Sequence, residues 1–106
     1  MLTVVETPTF QKLWPNYWTE EERDEFAAYI SENPDAGDPV QRSGGVRKVR
    51  WSRAGSGKSG GVRVVYFNRR KPGEVVLLLI YAKANLDSIS GETLKELSDA
   101  AEEANE

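Results

Sequence analysis

The 106-residue sequence predicts an α+β fold: a small, mostly antiparallel β-sheet with two N-terminal helical segments and a C-terminal helix, ordered β-α-α-β-β-β-α. Three observations carry this. Apolar residues recur at helical spacing before residue 33 and again after residue 90. In residues 45–51, and again in 61–67, they alternate with polar ones at period two. From Val75 to Ala82 they run unbroken, as in a strand covered on both faces. With no internal repeat, residues 1–106 read as one domain.

Each element has a local cause. Leu2 to Glu6 is short and β-branched, a first strand. Pro8 opens a helical turn on which Phe10, Leu13, Trp14 and Tyr17 share a face, and Pro15 breaks or kinks it. Thr19 with Glu22 three residues on is a capping box, with acids in the first turn where the helix dipole favours them. Phe26, Tyr29 and Ile30 form that helix's apolar face, and "SENPDAGDP" ends it. In "GVRKVRW", Arg47, Val49 and Trp51 share one face, while Val46, Lys48 and Arg50 share the other. "GVRVVYF" sets Arg63, Val65 and Phe67 opposite Val62, Val64 and Tyr66. "NRRKPGE" is a turn. Ser90 is the predicted cap of a last helix with Leu94, Leu97 and Ala101 as its apolar stripe.

Composition narrows the chemistry. There is no cysteine, so disulfides and thiolate catalysis are excluded, and a cytoplasmic setting is the simplest expectation. There is no histidine, which removes the usual general base and the usual zinc ligand, and neither metal nor cofactor is expected. No apolar run is long enough to span a bilayer, and the N-terminus lacks the pattern of a signal peptide.

Charge is segregated along the chain. Pro39 to Gly73 holds ten of the 14 basic residues and none of the 17 acidic ones. Such asymmetry predicts a polyanion-binding face on an otherwise acidic protein.

Inside that window lies "WSRAGSGKSGGVR", whose Gly57-Lys58-Ser59 resembles the end of a nucleotide-binding phosphate loop. The reading fails on two counts. Ser52 stands where the first glycine belongs, and a strand pattern follows where a helix N-terminus should receive the phosphates. The segment is a long glycine-rich hairpin connection instead. On the flanking strands Lys48 and Arg50 project from one side and Arg63 comes from the neighbouring strand. Depending on register, the three converge on a sheet face able to hold backbone phosphates. Trp51, Tyr66, Phe67 and Tyr81 are interleaved candidates for base stacking, with Trp51 and Phe67 the first to assign to the core.

The "ETPTF" start, the capped helix, "GGVRKVRWSRAGSGKSGGVRVVYF" and "VVLLLIYAKANLDSIS", in that order, closely resemble the RelE/ParE superfamily of type II toxins, in its HigB-like, RelE-type branch. The resemblance spans essentially the whole chain and implies the RelE-like fold. It also implies a ribosome-dependent mRNA endonuclease (an mRNA interferase) that cuts in the ribosomal A site by 2′-OH attack on the adjacent phosphate. The implied partners are the 70S ribosome and mRNA, and a cognate antitoxin with a helix-turn-helix domain. Operator DNA would be reached only through the antitoxin complex, and no membrane is involved.

Carried over by motif, the family's basic pair falls on Lys48 and Arg50, its strand-opening arginine on Arg63, and the basic residue after its last strand on Lys83. The resemblance thus makes Arg63 the phosphate clamp, Lys48 the candidate base, and Arg50 and Lys83 holders of phosphate or ribosomal RNA. Of the other cations of the window, Arg47, Arg53, Lys58, Arg69, Arg70 and Lys71 are RNA- or ribosome-binding candidates. The chain departs from the RelE pattern at Ala84, where a further arginine is usual, and near Asp87, Ser88 and Ser90, where a tyrosine is usual. The general acid is then open, with Tyr66 and Tyr81 as candidates. The alternatives are a gyrase-targeting ParE-like toxin and a non-catalytic RNA- or ribosome-binding module.

Overall fold

The computed structural model of the protein describes residues 2–51, 61–69, 71–82 and 91–104. Strand β1 (Thr3–Glu6) leads through Thr7 into helix α1 (Pro8–Leu13) and a 3-10 turn over Trp14–Asn16. Thr7 makes this corner. Its hydroxyl accepts the Phe10 N–H at 3.2 Å and donates to the Leu77 carbonyl at 2.8 Å, so the α1 cap is fastened to the sheet. Pro15 converts the α-helical turn to 3-10 geometry, as its missing donor requires.

Helix α2 (Glu20–Glu32) opens on the predicted capping box, with Thr19 and Glu22 each accepting the other's backbone N–H. It stops at Asn33, one residue before Pro34.

The remaining strands are β2 (Asp38–Pro39), β3 (Val46–Trp51), β4 (Val62–Arg69) and β5 (Glu74–Ala82), followed by helix α3 (Gly91–Ala104). They form one five-stranded sheet in the order β1-β5-β4-β3-β2. β1 runs parallel to β5, and every other pair is antiparallel. The predicted order holds with one addition, the two-residue β2. Two residues are too few to show a period, and one of them is a proline, which sits only on a sheet edge. Ser90, the predicted cap of α3, lies outside the described residues.

Both faces of the sheet are covered. α1 and α2 bury Phe10, Phe26 and Ile30 against Val49, Val64, Tyr66, Leu77 and Ile80. On the other face Leu94, with Leu97 and Ala101, packs on Val46, Val65, Phe67, Val76 and Leu78. β4 and β5 lie between two cores, which is why β5 is apolar without alternation. The β4–β5 register slips at one point. Val65 opposes Leu79 while Tyr66 opposes Leu77, so Leu78 is an extra, bulged residue. The bulge turns Leu78 and Leu79 to the same side, and both pack in the α3 core. Among the described residues no helix is long and apolar enough to cross a membrane.

Candidate functional site

The strand register decides which cations meet. Directly opposed residues of antiparallel strands share a face. Arg50 on β3 opposes Arg63 on β4, and Arg63 opposes Tyr81 on β5, so the three form one row across the sheet. One row along, Lys48 opposes Val65. Lys48, Arg50 and Arg63 are thus neighbours on the face that carries α3, the diagonal Lys48–Arg63 pair being roughly 7–8 Å apart at the backbone. Arg50 is exposed, and Lys48 and Arg63 are half-buried.

Like charges directly opposed across a strand pair destabilise a sheet, and Arg50–Arg63 is such a pair. Among the described residues neither Lys48 nor Arg50 has a carboxylate within ion-pair distance. A phosphodiester would relieve the repulsion and supply the missing acceptors.

The other sequence-predicted cations separate from this set. Arg47 has the opposite parity to Lys48 and Arg50 and so reaches round the other side of β3. Its Nη1 donates to the Gly37 carbonyl at 2.6 Å and to that of Asp35 at 3.3 Å, and Nη2 pairs with the Asp35 carboxylate at 3.6 Å. These contacts tie it to the loop before β2. Arg69 shares the parity of Arg63 but lies six residues along β4, about 20 Å away. There its Nη1 pairs with Glu74 at 2.8 Å and the guanidinium lies over the Phe67 ring. Lys71 is exposed in the turn at that same far end. Lys83, Arg53, Lys58 and Arg70 lie outside the described residues.

The aromatics do not offer a stacking platform. Tyr66, Phe67 and Tyr81 are all buried, and Trp51 is wedged on the helix face between Phe26 and Tyr29, with ring centroids 5.3 and 5.0 Å away. Strand aromatics flanked by two packed layers are core first. Of the two hydroxyls open for the acid role, Tyr81 shares the cationic face while Tyr66 points away from it.

Tyr66 has a different task. Its hydroxyl donates to the Pro34 carbonyl at 2.8 Å and accepts the Gly37 N–H at 2.9 Å. Asn68 Nδ2 donates to the same Pro34 carbonyl at 2.9 Å. Burial raises the Tyr66 pKa above its ordinary 10.0, only partly offset by the Gly37 hydrogen bond and nearby Arg47. With Arg47, these side chains clamp the chain between α2 and β2 onto the back of β3.

Gly37 sits so close that a Cβ there would lie 2.9 Å from the Lys48 carbonyl oxygen and 3.0 Å from Cε1 of Tyr66. The clamp delivers Asp38 directly opposite Lys48 and so onto the cationic face. Sequence reasoning treated "NPDAGDP" only as the end of a helix and missed this residue. The one available signal was the Gly-Asp pair just before the basic window.

No family model matches the sequence. Ten solved chains match in structure. One is the Escherichia coli toxin RelE, a double arginine-to-alanine mutant in the free state, with a TM-score of 0.60 and 14% identity. The match covers 81% of this chain and 87% of that one. At that identity the likeness is one of fold, and the chain has the RelE-like α+β fold that its sequence predicts.

Proposed function

We propose that this chain is the toxin of a type II toxin-antitoxin system, HigB-like within the RelE kind, acting as a ribosome-dependent mRNA endonuclease. The observation that carries the reading is the opposed Arg50–Arg63 pair with Lys48 diagonal to it, on one face of a RelE-like sheet.

In the proposed reaction a ribose 2′-oxygen attacks the adjacent phosphorus and the 5′-oxygen departs, leaving a 2′,3′-cyclic phosphate and a free 5′-OH. Negative charge on the non-bridging oxygens rises in the transition state. Preplaced cations stabilise that charge without reorganising. Arg63, in the middle of the sheet and restrained by its neighbours, is the clamp on the phosphate. Arg50, exposed at the margin, holds the incoming backbone. Lys83 and the cations of the glycine hairpin would extend this grip over ribosomal RNA. The ribosome would complete the site by fixing the codon in a reactive geometry. An antitoxin with an acidic segment would compete for the same cations, and a cytoplasmic site of action follows from the target.

The test is a cleavage assay on programmed ribosomes. 5′ ends are mapped by primer extension on mRNA incubated with the protein, with and without ribosomes, beside Arg63→Ala. Cuts at the A-site codon only with ribosomes, lost in the variant, are expected. Ribosome or RNA binding without cuts would point to a non-catalytic module. Neither, together with altered supercoiling in a gyrase assay, would point to a ParE-like activity.

A further inference from the structure

A histidine-free site that breaks RNA through its 2′-OH needs a proton acceptor. A lysine ammonium has no lone pair to accept a proton, whereas a carboxylate has several. From the strand register and the clamped loop before β2, we infer that Asp38 is the catalytic residue that takes the 2′-proton. This inference rests on the endonuclease reading above.

Three observations carry it. Asp38 pairs with Lys48 across β2 and β3, so its carboxylate rises from the same face as Lys48, Arg50 and Arg63. Among the described strand residues it is the carboxylate in register beside that set. Glu74, the other acid on this face, lies at the far end and is paired with Arg69. Second, Asp38 is exposed and open to a ligand, although its loop is held firmly. Tyr66, Asn68 and Arg47 hold Pro34, Asp35 and Gly37, and the close approach of Gly37 to the Lys48 carbonyl sets the next residue against β3. Third, a carboxylate on a polyanion-binding face weakens simple binding. Its presence on the edge strand beside the cations needs a use other than affinity.

The step balances within the diester. An Asp38 carboxylate oxygen takes the 2′-hydroxyl proton as the 2′-oxygen bonds to phosphorus. The bond from phosphorus to O5′ breaks with its electron pair on O5′, which takes a proton from water, and Asp38 returns its own to solvent. Lys48, directly opposite Asp38, lies beside the phosphate. The charged groups around Asp38 are Lys48, Arg50 and Arg63 on its face, Asp35 and Arg47 at its loop, and Lys95 of α3, whose side chain packs on Gly44.

The experiment is single-turnover cleavage on programmed ribosomes by wild type, Asp38→Asn, Asp38→Glu and Arg63→Ala. Ribosome affinity and melting temperature are measured for each. Asp38→Asn is expected to lower the cleavage rate constant about 10²- to 10⁴-fold. Its binding should be unchanged or tighter, because the substitution removes a negative charge from the face. The acidic limb of the wild-type pH–rate profile should vanish in Asp38→Asn. Asp38→Glu, keeping the carboxylate one methylene further out, should recover part of the rate. Asp38 is exposed, so both variants should melt with wild type.

If Asp38→Asn cuts as fast as wild type with the same pH profile while Arg63→Ala does not cut, the inference falls and the endonuclease reading stands. A loss in Asp38→Asn that tracks weaker binding or a lower melting temperature also overturns it. If wild type itself does not cut, both fall together.

Discussion

Arg50 and Arg63 face each other directly across β3 and β4, two guanidinium side chains at one cross-strand position of an antiparallel pair. Like charges directly opposite each other across a strand pair are destabilising. Arg50 is exposed, so Arg50→Gln, which removes that repulsion, should raise stability in urea melts by no more than about 0.5 kcal/mol. Cleavage on ribosomes should fall, because a phosphate contact is gone. Arg63→Ala should cost about 10²- to 10³-fold in rate, the range for removing one preplaced donor from a charge-stabilising site. A destabilised Arg50→Gln protein would mean that Arg50 itself is held by partners inside the fold.

RNA binding should depend on salt according to which cations lie on the face. Each phosphate neutralised on a single strand contributes about 0.7 to the slope of log affinity against log salt. Lys48→Ala and Arg50→Ala should each lower that slope by about this amount. Arg69→Ala should leave it unchanged, because its guanidinium is held by Glu74 at the other end of the sheet. Filter binding of a short single-stranded RNA across a salt series reads all three. An equal drop for Arg69 would place the RNA track along the whole sheet.

The fold was largely legible because period and capping are local signals. Thr19 and Glu22 announced α2, and the alternation in residues 45–51 and 61–67 announced a two-stranded pairing with its faces. The site was legible only in part, since composition showed a basic window but could not choose its register. A slip of one residue in β3 against β4 would have put Arg63 on the helix side with Val49 and Trp51. Nor could spacing reveal that Arg47 and Arg69, adjacent in kind to Lys48 and Arg63, serve the scaffold. Tyr66 read as a possible stacking partner or acid, and its hydrogen bonds to Pro34 and Gly37 depend on contacts some 30 residues away in sequence.

Gly37 is held to glycine by space. A Cβ there would meet the Lys48 carbonyl oxygen at 2.9 Å and the Tyr66 ring at 3.0 Å, and backbone cannot swing aside as a flexible side chain would. Gly37→Ala should cost about 1–3 kcal/mol, as overpacking does elsewhere. It should also push β2 off β3, so cleavage should fall further than the stability loss explains. Denaturant melts paired with single-turnover rates check both. A variant with native stability and rate would show that the loop does not need its close seat on β3.

The last prediction concerns alkaline pH and the buried hydroxyl of Tyr66. Burial disfavours its phenolate, so its folded pKa lies above the unfolded value near 10.0. The sign follows from proton counting. Below about pH 10 both states hold the proton, and the Tyr66 contribution to stability is present in full. From there up to the raised native value the unfolded chain releases a proton that the folded chain keeps, so stability is lost as pH rises. Tyr66→Phe cannot titrate here. At neutral pH it should be less stable by about 1–3 kcal/mol, because the Gly37 N–H loses its partner and the Pro34 carbonyl keeps only Asn68. The difference between wild type and variant should therefore shrink as pH rises above about 10, measured by urea melts at each pH. A difference that stays constant through that rise would show that the phenolate is tolerated in place, and that the clamp on the loop before Asp38 does not depend on the Tyr66 proton.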